Sequence, residues 1–138
     1  MAKTYADLLQ EVKGAIRQVS LEDLKSRLDS GEELILLDVR EKDEWRQGHV
    51  PGAMHIPRGF LEMQSGSRLP DKDATIVTIC AGGIRSAFAA KVLQDLGYVG
   101  RCSFDLVIVG RHPGEARQPG PASRCGSALR RHHAGCLQ

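Results

Sequence analysis

Two short, nearly unbroken apolar runs, Leu34 to Val39 and Ala74 to Ile79, narrow the fold more than any other feature of this chain, and each ends abruptly in polar or glycine-rich sequence. A strand that alternates apolar and polar residues has one dry face. A strand apolar at almost every position has two, and such strands belong to parallel sheets covered by helices on both sides. In open sheets of this kind ligands sit beyond the carboxyl ends of the strands. The residues there, Asp38-Val39-Arg40 and Cys80-Ala81-Gly82-Gly83, are the first places to look for chemistry.

The stretches around the runs read as helices. Thr4 to Asp7 has the form of a capping box, and Tyr5, Leu8, Leu9, Val12, Ile16 and Val19 follow at helical spacing. Ser20 caps a second helix with Leu21, Leu24 and Leu28 on one face and Gly31 at its end. Glu41 to Gln47 predicts a helical turn, Ala53 to Ile56 a short strand ending at Pro57, and Gly59 to Gln64 a further short helix. Ser86 to Leu96 places Phe88, Val92 and Leu96 on one face, with Gly97 as the stop. This alternation predicts an α/β fold, a central parallel sheet flanked by helices on both faces.

The bulk numbers set outer limits. A chain of 138 residues is the size of one domain. Its hydrophobic fraction of 41% and charged fraction of 26% exclude disordered and collagen-like classes without naming a function. The most apolar runs are strand-sized and the N-terminal residues lack an apolar signal core, so the expectation is a cytoplasmic protein with no membrane partner. Cys80, Cys102, Cys125 and Cys136 fit neither a Cys-x-x-Cys motif nor a secreted disulfide framework, and are expected to be free thiols.

Among them Cys80 stands apart. A cysteine at a strand tip, ahead of a glycine-rich turn and a helix start, lies where backbone N–H groups converge and a helix dipole favours an anion. The thiolate is the nucleophilic form of cysteine, and this setting promotes it. Gly82 and Gly83 let the loop curl, and Arg85 brings a permanent cation to its rim. The plainer reading is a buried structural cysteine before a turn; the glycine pair, the arginine and the helix start argue together against it. Loop size then selects the anion. Cysteine-dependent tyrosine phosphatases use a Cys-x5-Arg loop, because phosphate needs amides around three oxygens and a bidentate arginine. Here four residues, Ala81 to Ile84, separate Cys80 from Arg85, a ring better suited to one added sulfur atom.

Leu37-Asp38-Val39-Arg40-Glu41, Glu44-Trp45, Gly48-His49-Val50-Pro51-Gly52-Ala53, Ile56-Pro57 and Cys80 to Ser86 resemble rhodanese domains in order and spacing, from about Leu21 to Tyr98. The resemblance implies a five-stranded parallel sheet and a sulfurtransferase that passes sulfane sulfur, from thiosulfate or a persulfide donor, to cyanide or a thiol through a Cys80 persulfide. It implies no metal and no organic cofactor. Its partners would be a small sulfur-containing anion or thiol, and a protein thiol. By the same resemblance, amides of Ala81, Gly82, Gly83, Ile84 and Arg85 would hold the persulfide, and Asp38 and Arg40 would brace the site, with a purely structural ion pair as the alternative for those two. Arg58 would add charge at the pocket mouth if it is not simply a solvated surface residue. His49 reads as a turn residue, or one that supports the site from behind, rather than a base, and Trp45 as a half-buried packing residue. The rival functions are a non-enzymatic persulfide carrier or interaction module, and a phosphatase or arsenate reductase, which the short loop disfavours.

The resemblance stops abruptly. Residues 1–98 read as the rhodanese-like unit, with 1–19 as a helical N-terminal extension; residues 99–138 read as an atypical basic tail. The tail holds six Arg and no Lys against Asp105 and Glu115, and three of the four cysteines. The Gly-Gly pair and Trp-bearing helix usual in rhodanese domains are missing, and a shifted reading frame in a GC-rich gene would produce such a break. Phe104 to Val109 is expected to supply a substitute strand, and Gly110 to Gln138 to be mostly irregular. Cys125, His132, His133 and Cys136 match no zinc spacing, and arginines without interleaved aromatics make a weak nucleic-acid footprint, so no nucleic-acid partner is expected.

Overall fold

The computed structural model describes residues 1–99 and the backbone of a short strand at 103–104. Helix α1 (Tyr5–Ala15) starts at the expected capping box: the Asp7 N–H donates to the Thr4 hydroxyl, and the Asp7 carboxylate accepts the Thr4 N–H at 2.9 Å. The apolar spacing predicts a helix running on to Val19, but the chain leaves α1 at Ile16 and forms β1 (Arg17–Gln18). Ile16 and Val19 are both buried, yet in different clusters on opposite faces of the sheet. A single helical stripe faces one way; only an extended segment at the sheet edge reaches both.

Helix α2 (Leu21–Asp29) is capped by Ser20, whose hydroxyl accepts the Asp23 N–H at 3.1 Å, and Gly31 follows it at φ 78°. Then come β2 (Ile35–Asp38), α3 (Lys42–Gln47), β3 (Met54–His55), a 3₁₀ turn (Arg58–Phe60), α4 (Leu61–Arg68), β4 (Ile76–Ile79), α5 (Ile84–Asp95) and β5 (Ser103–Phe104). Helix α5 begins two residues ahead of the Ser86 expected from its apolar spacing.

All strand pairs are parallel, in the order β1-β5-β4-β2-β3. The central pair β2·β4 runs in register from Ile35 opposite Ile76 to Asp38 opposite Ile79. Both apolar runs do have two dry faces. Ile35, Leu37, Val39, Ile76 and Cys80 pack with Val12 of α1, Leu61 of α4 and Ala87, Ala90 and Leu93 of α5. Leu34, Leu36, Val77 and Ile79 turn the other way, onto Leu24 and Leu28 of α2. The N-terminal extension is thus part of the domain's core, through Val12 and Ile16, and of its sheet, through β1.

Strand β5 pairs with β1 and β4 and starts at Ser103, one residue before the expected Phe104. The remainder of the 104–109 expectation, the irregular tail to Gln138 and the cluster of Cys125, His132, His133 and Cys136 lie outside the described residues. Among the described residues no helix is long and apolar enough to cross a membrane, and no group of three His, Cys, Asp or Glu could hold a metal ion.

Candidate active site around Cys80

Strand β4 delivers Cys80 to its carboxyl end on the same face as Ile76 and Thr78, so its side chain points beneath α5. The residue is wholly covered, at 0% exposure. Burial alone would fit a structural cysteine, but polar groups surround this sulfur. Sγ accepts the Gly83 N–H at 3.0 Å and the Ser86 N–H at 3.4 Å, and it lies 3.2 Å from Ser86 Oγ.

These bonds follow from how α5 begins. The N-cap is Gly83, in the left-handed conformation at φ 80°, with no side chain to satisfy the first free N–H groups. In an ordinary cap a side-chain oxygen accepts the N–H three residues into the helix. Ser86 is that residue, and the acceptor is the Cys80 sulfur instead. The positive end of the helix therefore faces Sγ. Ser86 is itself fully buried, and its carbonyl accepts the Thr78 hydroxyl at 2.9 Å, which ties the first turn of α5 back to β4.

The rest of the loop divides by role. Gly82 is exposed, with open space where a Cβ would stand, and its φ is not positive; Ala81 is half-buried and Ile84 exposed. Arg85 lies at the rim, but its guanidinium is engaged: Nη1 and Nη2 donate to the two carboxylate oxygens of Glu44 at 2.6 and 3.0 Å. The Arg85 bond holds the Glu44 carboxyl far below its ordinary value, at about 2, against the opposing effect of burial. Arg85 is pushed above its ordinary value, first by Glu44, with the charge of Cys80 a smaller contributor.

Asp38 and Arg40 meet in a buried bidentate pair at the carboxyl end of β2, next to β4, with Arg40 Nη2 donating to Asp38 at 2.8 Å and to the Gly48 carbonyl at 2.8 Å. Arg58 is half-buried and donates to Glu62 at 2.9 Å, within its own helical segment. Trp45 is half-buried and stacks with His49 and with His55, the ring centroids 3.5 and 4.7 Å away. Its neighbour Glu44 faces the Cys80 loop from α3 through the bonds it accepts from Arg85.

Sequence reasoning missed two residues here. Ser86 lies one position past the Cys-to-Arg loop, and its signal was its place as the third residue of a helix lacking a capping side chain. Glu44 stands three residues after Glu41, where its side chain accepts the Glu41 N–H at 2.8 Å; that spacing reads as a capping box and conceals the long-range bond to Arg85.

A parallel α/β sheet that seats one thiol under the N-terminus of a helix, on a short Cys-to-Arg loop, defines a cysteine-loop domain. The chain belongs to the rhodanese-like domain family, whose sequence model matches residues 20–105. YrkF of Bacillus subtilis (strain 168), provisionally named a sulfur carrier protein, is 40% identical over 88 residues, which are 64% of this chain and 46% of that protein. The chain thus spans about half the length of that relative. The human single-domain sulfurtransferase TSTD1 is 32% identical, with a TM-score of 0.56 over 63% of this chain and 87% of that one. A protein of unknown function from Rhodopseudomonas palustris CGA009, described as a possible tyrosine phosphatase, is 28% identical, with a TM-score of 0.68 over 76% of this chain and 86% of that one.

Proposed function

We propose that this protein is a sulfurtransferase that carries sulfane sulfur as a persulfide on Cys80. The Cys80 thiolate attacks the outer sulfur of a donor. With thiosulfate, a bond forms between that sulfur and Sγ, the sulfur–sulfur bond of thiosulfate breaks, and its electron pair leaves with sulfite. An acceptor thiolate, or cyanide, then attacks the terminal sulfur; the new bond forms as the bond to Sγ breaks, and Cys80 leaves as the thiolate. The route uses no metal and no organic cofactor. Residence in the reducing cytoplasm belongs to the same reading, since the thiol must be regenerated free of disulfide.

The observation that carries the proposal is the pair of N–H groups, from Gly83 and Ser86, directed at Sγ. Donors aimed at a sulfur stabilise its anionic forms, thiolate and persulfide alike. Incubation with thiosulfate is expected to add the mass of one sulfur atom to the intact protein, and Cys80→Ser is expected to abolish the addition. An unchanged mass in the wild-type protein with thiosulfate and with methanethiosulfonate alike would remove the basis of this assignment.

A second reading has one observation in its favour. YrkF, which this chain resembles, is named a sulfur carrier protein, and that suits a carrier loaded by a protein donor. Such a carrier would take sulfur from a protein persulfide and fail with every small donor. A phosphatase or arsenate reductase is disfavoured by the four-residue spacing, and further by the guanidinium of Arg85 being held by Glu44.

A further inference from the structure

Of the arginines around the carboxyl ends of β2, β3 and β4, Arg68 donates to the His55 carbonyl at 2.7 Å, and three others are each matched by a carboxylate. Arg40 pairs with Asp38, Arg58 with Glu62 and Arg85 with Glu44. The first two pairs join residues close in sequence. The third is different: Glu44 reaches across from α3 to take the loop arginine with both carboxylate oxygens, and Glu41, three residues earlier, also acts on the Arg85 charge. What surrounds Sγ is uncharged: the Gly83 and Ser86 N–H groups donate to it, and the Ser86 hydroxyl oxygen accepts from it at 3.2 Å.

A dianion gains twice the Coulomb energy of a monoanion from a fixed cation, and loses twice as much when a carboxylate cancels it. We propose that Glu44 sets the charge class of the sulfur donor, by cancelling Arg85 so that the site favours donors with one negative charge, such as organic persulfides and thiosulfonates, over the thiosulfate dianion. This rests on the sulfur-transfer reading above and narrows its donor. With a persulfide R–S–S⁻, the Cys80 thiolate bonds to the outer sulfur, the bond from that sulfur to R–S breaks, and R–S⁻ departs with the electron pair. Reactants and products carry equal charge and no redox partner is consumed. Glu44 acts through Arg85 and is a positioning residue.

The test compares kcat/KM for thiosulfate with that for methanethiosulfonate, a singly charged donor, in wild type, Glu44→Gln, Arg85→Gln and the double variant. Glu44→Gln should raise the thiosulfate-to-methanethiosulfonate ratio about tenfold, Arg85→Gln should lower it by a similar factor, and the double variant should return it to the wild-type value. Glu44→Ala, as a second variant, should move the ratio in the same direction as Glu44→Gln. A ratio unchanged by the single substitutions, or a gain that persists without Arg85, would overturn the inference. If no variant accepts sulfur from either donor, the sulfur-transfer reading falls by itself, and a sulfate titration followed at the Gly83 and Ser86 amide resonances decides the charge question. Glu44→Gln should then bind sulfate about tenfold more tightly than wild type, and equal affinities would overturn the inference.

Discussion

At the scale of single residues, the loop separates two glycines that look equivalent in the chain. Gly83 has φ 80°, where a side chain clashes with the following carbonyl, whereas Gly82 has open space around it and no positive φ. Gly83→Ala is therefore expected to destabilise the fold by about 1–2 kcal/mol. Gly82→Ala should stay within about 0.5 kcal/mol of wild type. Denaturant unfolding of the two variants checks both, and equal losses would contradict the division of labour. Cys80 was legible in the sequence because its whole local context, strand end, glycines and helix start, lies within a few residues. Which glycine turns left-handed was not, because that depends on the angle at which β4 hands over to α5. Glu44 and Arg85 lie 41 positions apart, a separation at which pairing leaves no local pattern.

Among elements, the lengths of the strands decided what could be foreseen. β2 and β4 announced themselves through runs apolar on both faces, and their registered pairing makes them the centre of the sheet. β1, β3 and β5 have two residues each; β3 lies within the expected Ala53 to Ile56 and β5 overlaps the start of the expected Phe104 to Val109, whereas β1 was hidden inside apparent helical spacing. The ends of α4 and α5 depend on Tyr98 in a comparable way. It follows Gly97, which turns the chain at φ 86°, and its buried hydroxyl lies 3.0 Å from the Ser65 carbonyl and 2.8 Å from the Leu69 carbonyl, anchoring the C-terminus of α4. As a sequence feature Tyr98 marked only where the family resemblance faded. Tyr98→Phe keeps the ring and withdraws the donor from buried carbonyls, so it is expected to cost about 1–3 kcal/mol, measured by chemical unfolding. A loss below a few tenths of a kcal/mol would mean that water replaces the hydroxyl.

On the scale of the whole molecule, the Glu44 to Arg85 pair joins the α3 side of the site to α5, across 41 positions of sequence. It makes stability depend on pH in a definable window. The Glu44 carboxyl titrates at about 2 in the folded protein, against an ordinary value of 4.5. A group with a depressed folded value stabilises the fold fully above its unfolded value and progressively less as the pH falls toward the folded one. The contribution of Glu44 is therefore complete above about pH 4.5 and disappears between there and about pH 2. Arg85, displaced upward, stays charged throughout that range and adds no slope of its own. Other carboxylates titrate in the same window, so the quantity to follow is the difference in unfolding midpoint between wild type and Glu44→Gln at a series of pH values. It should be constant from neutrality to about pH 5 and shrink steadily below, because the neutral acid and the amide become equivalent partners for Arg85. Both side chains are about one-third exposed, so solvent screening keeps the plateau small and added salt should lower it further. A difference that persists undiminished at the acid end would show that Glu44 supports the fold by packing or capping, through its bond to the Glu41 N–H, and not by its charge.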